Sequence, residues 1–142
     1  MSRSISLISQ EGALKSYFPD SDIRRKYDTE IRWTSIVTPT PLSATYTLHL
    51  HYKAGDGAKV YVLSPKPLAL AKGKARLPHV YNHQEQRLCL YYPMDREWNP
   101  GMYYVHTLIP WACEWLMHYE LWVGSGNWQG GGIEHDEDEA EG

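Results

Sequence analysis

The feature that most constrains this chain is a strict alternation of side chains at residues 45–52. Even-numbered positions in this run are Tyr or Leu, and odd-numbered positions are Thr or His. A period of two places the two sets on opposite faces of a β-strand. The run therefore predicts a strand with one buried and one solvated face, which is typical of an antiparallel sheet.

Two neighbouring segments extend this sheet. Residues 32–38 are rich in β-branched and aromatic side chains and end at Pro39, and residues 59–63 form a similar run that stops before Pro65. The Gly-Asp-Gly sequence at 55–57 is a turn signal. Together the three strands predict an antiparallel meander.

A helix is expected on each side of the meander. Apolar residues recur at helical spacing between Leu7 and Phe18, so we predict a first helix that ends at Pro19. The charged stretch 21–29 is interpreted as a loop. A second, Trp-rich helix begins after Thr107 as N-cap and ends at Gly124 and Gly126. One stripe of this helix is apolar: Leu108, Trp111, Ala112, Trp115, Leu116, Tyr119 and Trp122.

Residues 65–100 contain five prolines and lack a clear period, so we expect an irregular segment of the kind that often carries function. The whole pattern predicts an α+β fold. We expect residues 1–128 to form a single domain, with Trp128 packed back against the rest of it. Residues 129–142 are expected to form a flexible tail rich in Gly and acidic residues.

Composition excludes several function classes. The net charge is −3 and no basic stripe stands out, which argues against a nucleic-acid partner. No apolar run approaches the roughly 20 residues of a membrane span. Two cysteines do not make a disulfide framework and no secretory signal is evident, so we expect a cytoplasmic protein with free thiols.

Cys89, within the irregular segment, is the strongest ready-made nucleophile of the chain. Arg87, His79 and His83 could activate it if they lie close in space. The residues themselves leave other readings open. Cys89 could be an inert buried thiol or a redox partner of Cys113, and His79 and His83 could bind zinc.

The order Pro78-His79, Leu88-Cys89-Leu90 and Trp98-Asn99-Pro100 resembles the active-site segment of ubiquitin-conjugating enzymes. With the Trp-rich segments 111–122 and 126–128, it resembles the prokaryotic branch of that family found in antiphage operons of the CBASS type. Leu77 and His79 replace the His and Asn of the ubiquitin enzymes' His-Pro-Asn pattern.

The resemblance implies a ubiquitin-conjugating-like (UBC-like) fold and an acyltransferase with Cys89 as the thioester-forming nucleophile. It puts His79 at the position associated with oxyanion stabilisation or loop support, and we expect Tyr81, Asn82 and Trp98 to shape the binding groove. No metal and no cofactor is expected. The implied partner is a cGAS/DncV-like nucleotidyltransferase, or the C-terminus of a ubiquitin-like protein.

Activation of the acyl group is expected elsewhere, with a separate adenylating enzyme as the candidate, because no Gly-rich sequence resembles an ATP-binding loop. Two other functions remain open. A non-catalytic adaptor could share the fold, although inactive relatives lack the Cys that this chain keeps. A Cys-dependent deconjugating hydrolase would need a His oriented by Asn or Asp beside Cys89.

Overall fold

The computed structural model describes residues 4–91 and 97–128. Within these residues the chain forms an α+β fold of an N-terminal helix, an antiparallel sheet and a C-terminal helix. A short 3-10 helix, Tyr104–His106, precedes the last helix. In chain order the other elements are α1 (Leu7–Tyr17), β1 (Asp22–Lys26), β2 (Glu30–Val37), β3 (Tyr46–Lys53), β4 (Gly57–Ser64), β5 (Val80–Asn82), β6 (Arg87–Leu88) and α2 (Leu108–Ser125).

The described strands form one antiparallel sheet in the order β1-β2-β3-β4-β6-β5. The predicted meander is confirmed as β2-β3-β4. In β3 the Tyr and Leu positions are buried and the Thr and His positions are only partly buried, as the alternation predicts. Leu50, which is fully buried, lies opposite Trp33 on one side and Val60 on the other.

The interpretation of residues 21–29 as a loop was wrong, because β1 occupies Asp22–Lys26 and pairs with β2 along its whole length. Only Ile23 turns a partly buried side chain inward, and the other four positions are exposed. Exposed charges are common on edge strands, where they discourage pairing with another chain. A strand of this kind has no apolar alternation to reveal it.

The segment predicted to be irregular also contains structure. The short strands β5 and β6 form a hairpin that adds to the edge of β4, with Val80 opposite Leu88 and Tyr61 opposite Arg87. Strands of three and two residues are too short to show a period. The other described residues between 65 and 100 form no helix or strand.

Helix α1 is joined to the segment before α2 by a buried amide. The Gln10 side chain donates to the Met102 carbonyl at 3.0 Å and accepts from the Tyr104 backbone N–H at 3.2 Å. Ser6 caps the helix by accepting from the Ser9 N–H. The helix ends before Pro19, as predicted.

Helix α2 buries its aromatic stripe in the core that it shares with the sheet, where Tyr119 contacts Tyr46 of β3. Seven of its residues are buried: Leu108, Ile109, Ala112, Trp115, Leu116, Tyr119 and Trp122. The helix passes through Gly124 and ends at Gly126, whose φ of 81° suits a glycine cap. Thr107 occupies the N-cap position, but its hydroxyl donates to the Tyr103 carbonyl instead of capping. No helix in the described part of the chain combines the length and apolarity needed to cross a bilayer.

Glu120 ties α2 to the loop between β2 and β3. Its carboxylate accepts from the Ser43 hydroxyl at 2.7 Å, the Ala44 N–H at 3.2 Å and the Tyr46 hydroxyl at 2.6 Å. Burial raises the pKa of Tyr46, and its hydrogen bond to Glu120 raises the pKa further. Three donors converge on one anion, so removal of the charge leaves partly buried groups poorly paired.

We therefore expect Glu120→Gln to lower the free energy of unfolding by about 2 kcal/mol, because hydrogen bonds to a charged acceptor are stronger than neutral ones. Urea denaturation measures the change. Glu114→Gln is the matched control, since Glu114 is exposed on the same helix. Equal midpoints for the two variants would show that the three bonds to Glu120 contribute little.

Candidate functional site around Cys89

Cys89 directly follows β6 and is held by the hairpin. Its backbone N–H donates to the His79 carbonyl at 3.1 Å, which continues the pairing of β5 and β6 by one position. Leu88 before it is buried in the core, and Leu90 after it packs against the core. The Cys89 side chain itself is half-buried and is a thiol outside any disulfide. The nucleophile predicted from the sequence thus lies on a short, anchored strand end.

The second cysteine, Cys113, lies on α2 and is also a half-buried thiol. Burial raises the pKa of the Cys113 thiol, which disfavours its reactive thiolate form. This environment is that of an inert thiol.

His79 holds an unusual backbone conformation beside Cys89. Its φ is +48°, in the left-handed region that residues with a Cβ seldom adopt, and the residue is 7% exposed. Its carbonyl accepts from Cys89 and also from the indole N–H of Trp115 at 3.0 Å. Strained backbone of this kind persists only where the surroundings hold it.

The His79 ring lies against the ring of Trp128, with centroids 4.8 Å apart. Trp128 also contacts Trp115 at 5.6 Å and His118 at 5.7 Å, so it packs back on the domain as predicted. The chain after α2 therefore returns to cover the segment that leads to Cys89. The buried imidazole is held against the Trp128 ring and shielded from water.

The Tyr81 phenol lies at the Cys89 sulfur. Burial is the largest cause that raises the pKa of Tyr81, and the charge of the Cys89 sulfur and a hydrogen bond with it raise the pKa further, whereas Arg87 lowers it. The Tyr81 hydroxyl also donates to the Tyr91 carbonyl. A thiol at Cys89 can donate to the phenol oxygen while the phenol O–H stays on the Tyr91 carbonyl. A thiolate can accept the phenol O–H once the hydroxyl turns from Tyr91 to the sulfur.

Arg87 stacks on the other side of Tyr81. Its guanidinium carbon lies 4.7 Å from the centroid of the Tyr81 ring, in a cation–π arrangement. A half-open pocket adjoins this pair, lined by Ala58, Val60, Tyr81, Arg87, Leu88, Leu90 and Tyr91. The pocket thus brings aliphatic side chains, two tyrosines and the Arg87 cation together beside the strand end that carries Cys89.

The two other predicted site residues, Asn82 and Trp98, differ in how deeply they are buried. Asn82 is exposed, and its side chain accepts from the Glu85 N–H at 2.8 Å to form the hairpin turn. Trp98 is buried, 6% exposed, and packs against Tyr52 and Tyr91 beneath the pocket. Asn82 therefore belongs to the surface of the hairpin, whereas Trp98 belongs to the core.

The zinc reading of His79 and His83 finds no support in the ligand geometry. His83 uses its Nδ1 atom to accept the Leu77 N–H at 3.1 Å. Across the described residues, no group of three or more His, Cys, Asp or Glu side chains could hold a metal ion.

Gln86 is a structural residue of the site that its sequence context does not reveal. The residue is 2% exposed, and its backbone lies in the left-handed region with a φ of 54°. Its side chain accepts from the Leu68 N–H at 2.7 Å and donates to the carbonyls of Val62 and Pro65. A Gln within a polar turn normally indicates a solvated loop, yet this one fixes the start of the segment between β4 and β5.

The sequence matches the family model of the Type II CBASS E2 protein over residues 10–136. This match spans most of the chain and includes both Cys89 and the Trp-rich helix. The chain belongs to the Type II CBASS E2 protein family. Membership gives this E2 protein a role of the conjugating type in antiphage defence, with partners within the CBASS operon. None of the curated proteins matches the sequence significantly.

In this E2 protein, we expect Tyr81→Phe to slow the alkylation of Cys89 by iodoacetamide about tenfold at neutral pH. The phenol is a donor that stabilises negative charge on sulfur, and a hydrogen bond to a charged group is worth roughly that factor. At strongly alkaline pH, where the sulfur is already ionised, the difference should disappear. Mass spectrometry of peptides separates Cys89 from Cys113.

Tyr91→Phe is the matched control, because the Tyr91 hydroxyl donates to the Ala58 carbonyl at 3.2 Å and not to sulfur. It should leave the alkylation rate of Cys89 near that of the wild type. An equal slowing by both substitutions would indicate a general effect of packing and would contradict the role of the Tyr81 hydroxyl.

Proposed function

We propose that Cys89 accepts the C-terminal acyl group of a partner protein as a thioester and passes it to an amine. In the first step the Cys89 thiolate attacks the activated C-terminal carbonyl, a C–S bond forms, and the activating group leaves. In the second step an amine, such as a lysine of the acceptor, attacks the thioester. The amide bond forms, the amine nitrogen loses a proton to solvent, and the thiolate leaves with the electron pair of the C–S bond.

The observation that carries the proposal is the pairing of Cys89 with a positioned phenol on an anchored strand end. The backbone of Cys89 is fixed by the His79 carbonyl, and its sulfur lies at the Tyr81 hydroxyl. A fixed nucleophile lowers the entropic cost of acyl transfer. The donor at sulfur also stabilises the thiolate when it attacks and when it leaves.

The supporting residues have different parts in this proposal. The resemblance gives His79 two candidate roles, oxyanion stabilisation and loop support. Its ring is buried against Trp128 and its carbonyl accepts two hydrogen bonds, which favours loop support. The exposed Asn82 contacts the partner's C-terminal segment at the edge of the groove. Trp98 shapes the groove from beneath through Tyr91.

We propose a UBC-like domain whose partner is the C-terminus of a cGAS/DncV-like nucleotidyltransferase, or of a ubiquitin-like protein. Membership in the Type II CBASS E2 family supports a partner encoded in the same operon. A separate adenylating enzyme supplies the activated carboxyl group. The chemistry suits the cytoplasm, where thiols remain reduced.

Intact mass spectrometry of the chain, incubated with the partner and an activating source, tests the proposal. The wild type and Cys113→Ala should gain the mass of the partner minus water, and thiol reductant should remove the adduct. Cys89→Ala should gain no such mass. Since both substitutions replace a half-buried thiol, the pair separates loss of the nucleophile from loss of packing.

A reductant-labile adduct that persists in Cys89→Ala would overturn the proposal. Two other results would point to the competing functions. An unmodified wild-type mass with a complex that still forms would favour an adaptor. Cleavage of a preformed partner conjugate that depends on Cys89 would favour a deconjugating hydrolase.

A further inference from the structure

We propose that Trp115 is a positioning residue for Cys89, because its indole N–H and the Cys89 N–H bind the same carbonyl oxygen of His79. This inference rests on the proposed function for its catalytic consequence. The two hydrogen bonds to the His79 carbonyl, however, concern only the backbone of the Cys89 segment, and their effect on that backbone can be measured separately.

Helix α2 is hydrogen-bonded at the His79 carbonyl to the strand end that carries Cys89. Trp115 is 4% exposed, and its Nε1 atom lies 3.0 Å from this oxygen. The Cys89 nitrogen lies 3.1 Å from it. A carbonyl oxygen has two lone pairs, so it can accept both donors at once.

The conformation of His79 explains why such a contact matters. A residue with a Cβ at φ +48° is less stable than in its usual regions. Rotation of His79 toward those regions would turn the peptide plane and move its carbonyl away from Cys89. Trp115 opposes this rotation from the helix side, and Trp128 opposes it by packing on the imidazole at 4.8 Å.

The consequence for catalysis concerns the position of the Cys89 sulfur. Cys89 has its sulfur at the Tyr81 hydroxyl only while its backbone stays paired with β5. If the His79 carbonyl rotates, the strand end that carries the nucleophile is released. Trp115 thus acts on acyl transfer through the backbone, without contact with the reacting atoms.

The test compares two substitutions that each remove one donor from α2. Trp115→Phe removes the donor to His79, and Tyr119→Phe removes the hydroxyl that donates to the Ala69 carbonyl at 2.6 Å. Trp115 and Tyr119 are equally buried, at 4% exposure, and stack on each other with centroids 5.6 Å apart. Tyr119→Phe therefore controls for the general effect of a lost hydrogen bond between this helix and the segment below it.

We expect Trp115→Phe to accelerate hydrogen exchange of the Cys89 amide about fivefold, the factor that corresponds to one ordinary hydrogen bond. The rate constant for thioester formation on Cys89 should fall by a similar factor with KM for the partner unchanged. Tyr119→Phe should alter neither quantity. NMR measures the exchange, and single-turnover mass spectrometry measures the thioester.

Equal effects of the two substitutions on exchange or on thioester formation would overturn the positioning role. If Trp115→Phe fails to fold, 3-benzothienylalanine at position 115 retains the bicyclic shape and lacks the N–H, and the same comparison applies. A wild-type chain that forms no thioester would refute the proposed function. The exchange of the Cys89 amide would still decide whether Trp115 positions the segment.

Discussion

Burial of the hydrophobic core that α2 shares with the sheet is the constraint on which the rest of the structure depends. The helix contributes aromatic side chains whose polar ends must find partners at the edge of that core. Trp115 donates to His79, Tyr119 donates to Ala69, and Glu120 accepts from the loop before β3. Three separate parts of the chain are thereby tied to one helix, and the Cys89 hairpin is among those that contact it.

The sequence predicts those parts of the fold in which one physical period governs many residues. The alternation in β3 and the aromatic stripe of α2 both rest on one face being buried, and both were found. The strand β1 gave no such signal because its side chains are mostly exposed. The hairpin of β5 and β6 gave none because five residues are too few to show a period.

The candidate site could be predicted only in part. Cys89 followed from its chemistry together with the family resemblance, whereas the bond from Trp115 to the His79 carbonyl joins residues 36 positions apart. An apolar stripe explains the burial of Trp115 equally well without any such bond. The left-handed conformations of His79 and Gln86 could not be predicted from the sequence either, since neither residue is a glycine, the residue type that usually indicates a positive φ.

The groups around Cys89 suit a carrier of acyl groups better than a hydrolase. A hydrolase needs an imidazole beside the sulfur, held by a third polar group so that it can remove a proton. Here the His79 ring packs on Trp128, and the Nδ1 atom of His83 already accepts a backbone N–H. The Tyr81 phenol is hydrogen-bonded with the sulfur and its pKa is raised, so it stays protonated and does not serve as a base. When its O–H turns from the Tyr91 carbonyl to the sulfur, it stabilises a leaving thiolate without activating water, and this favours transfer to an amine over hydrolysis.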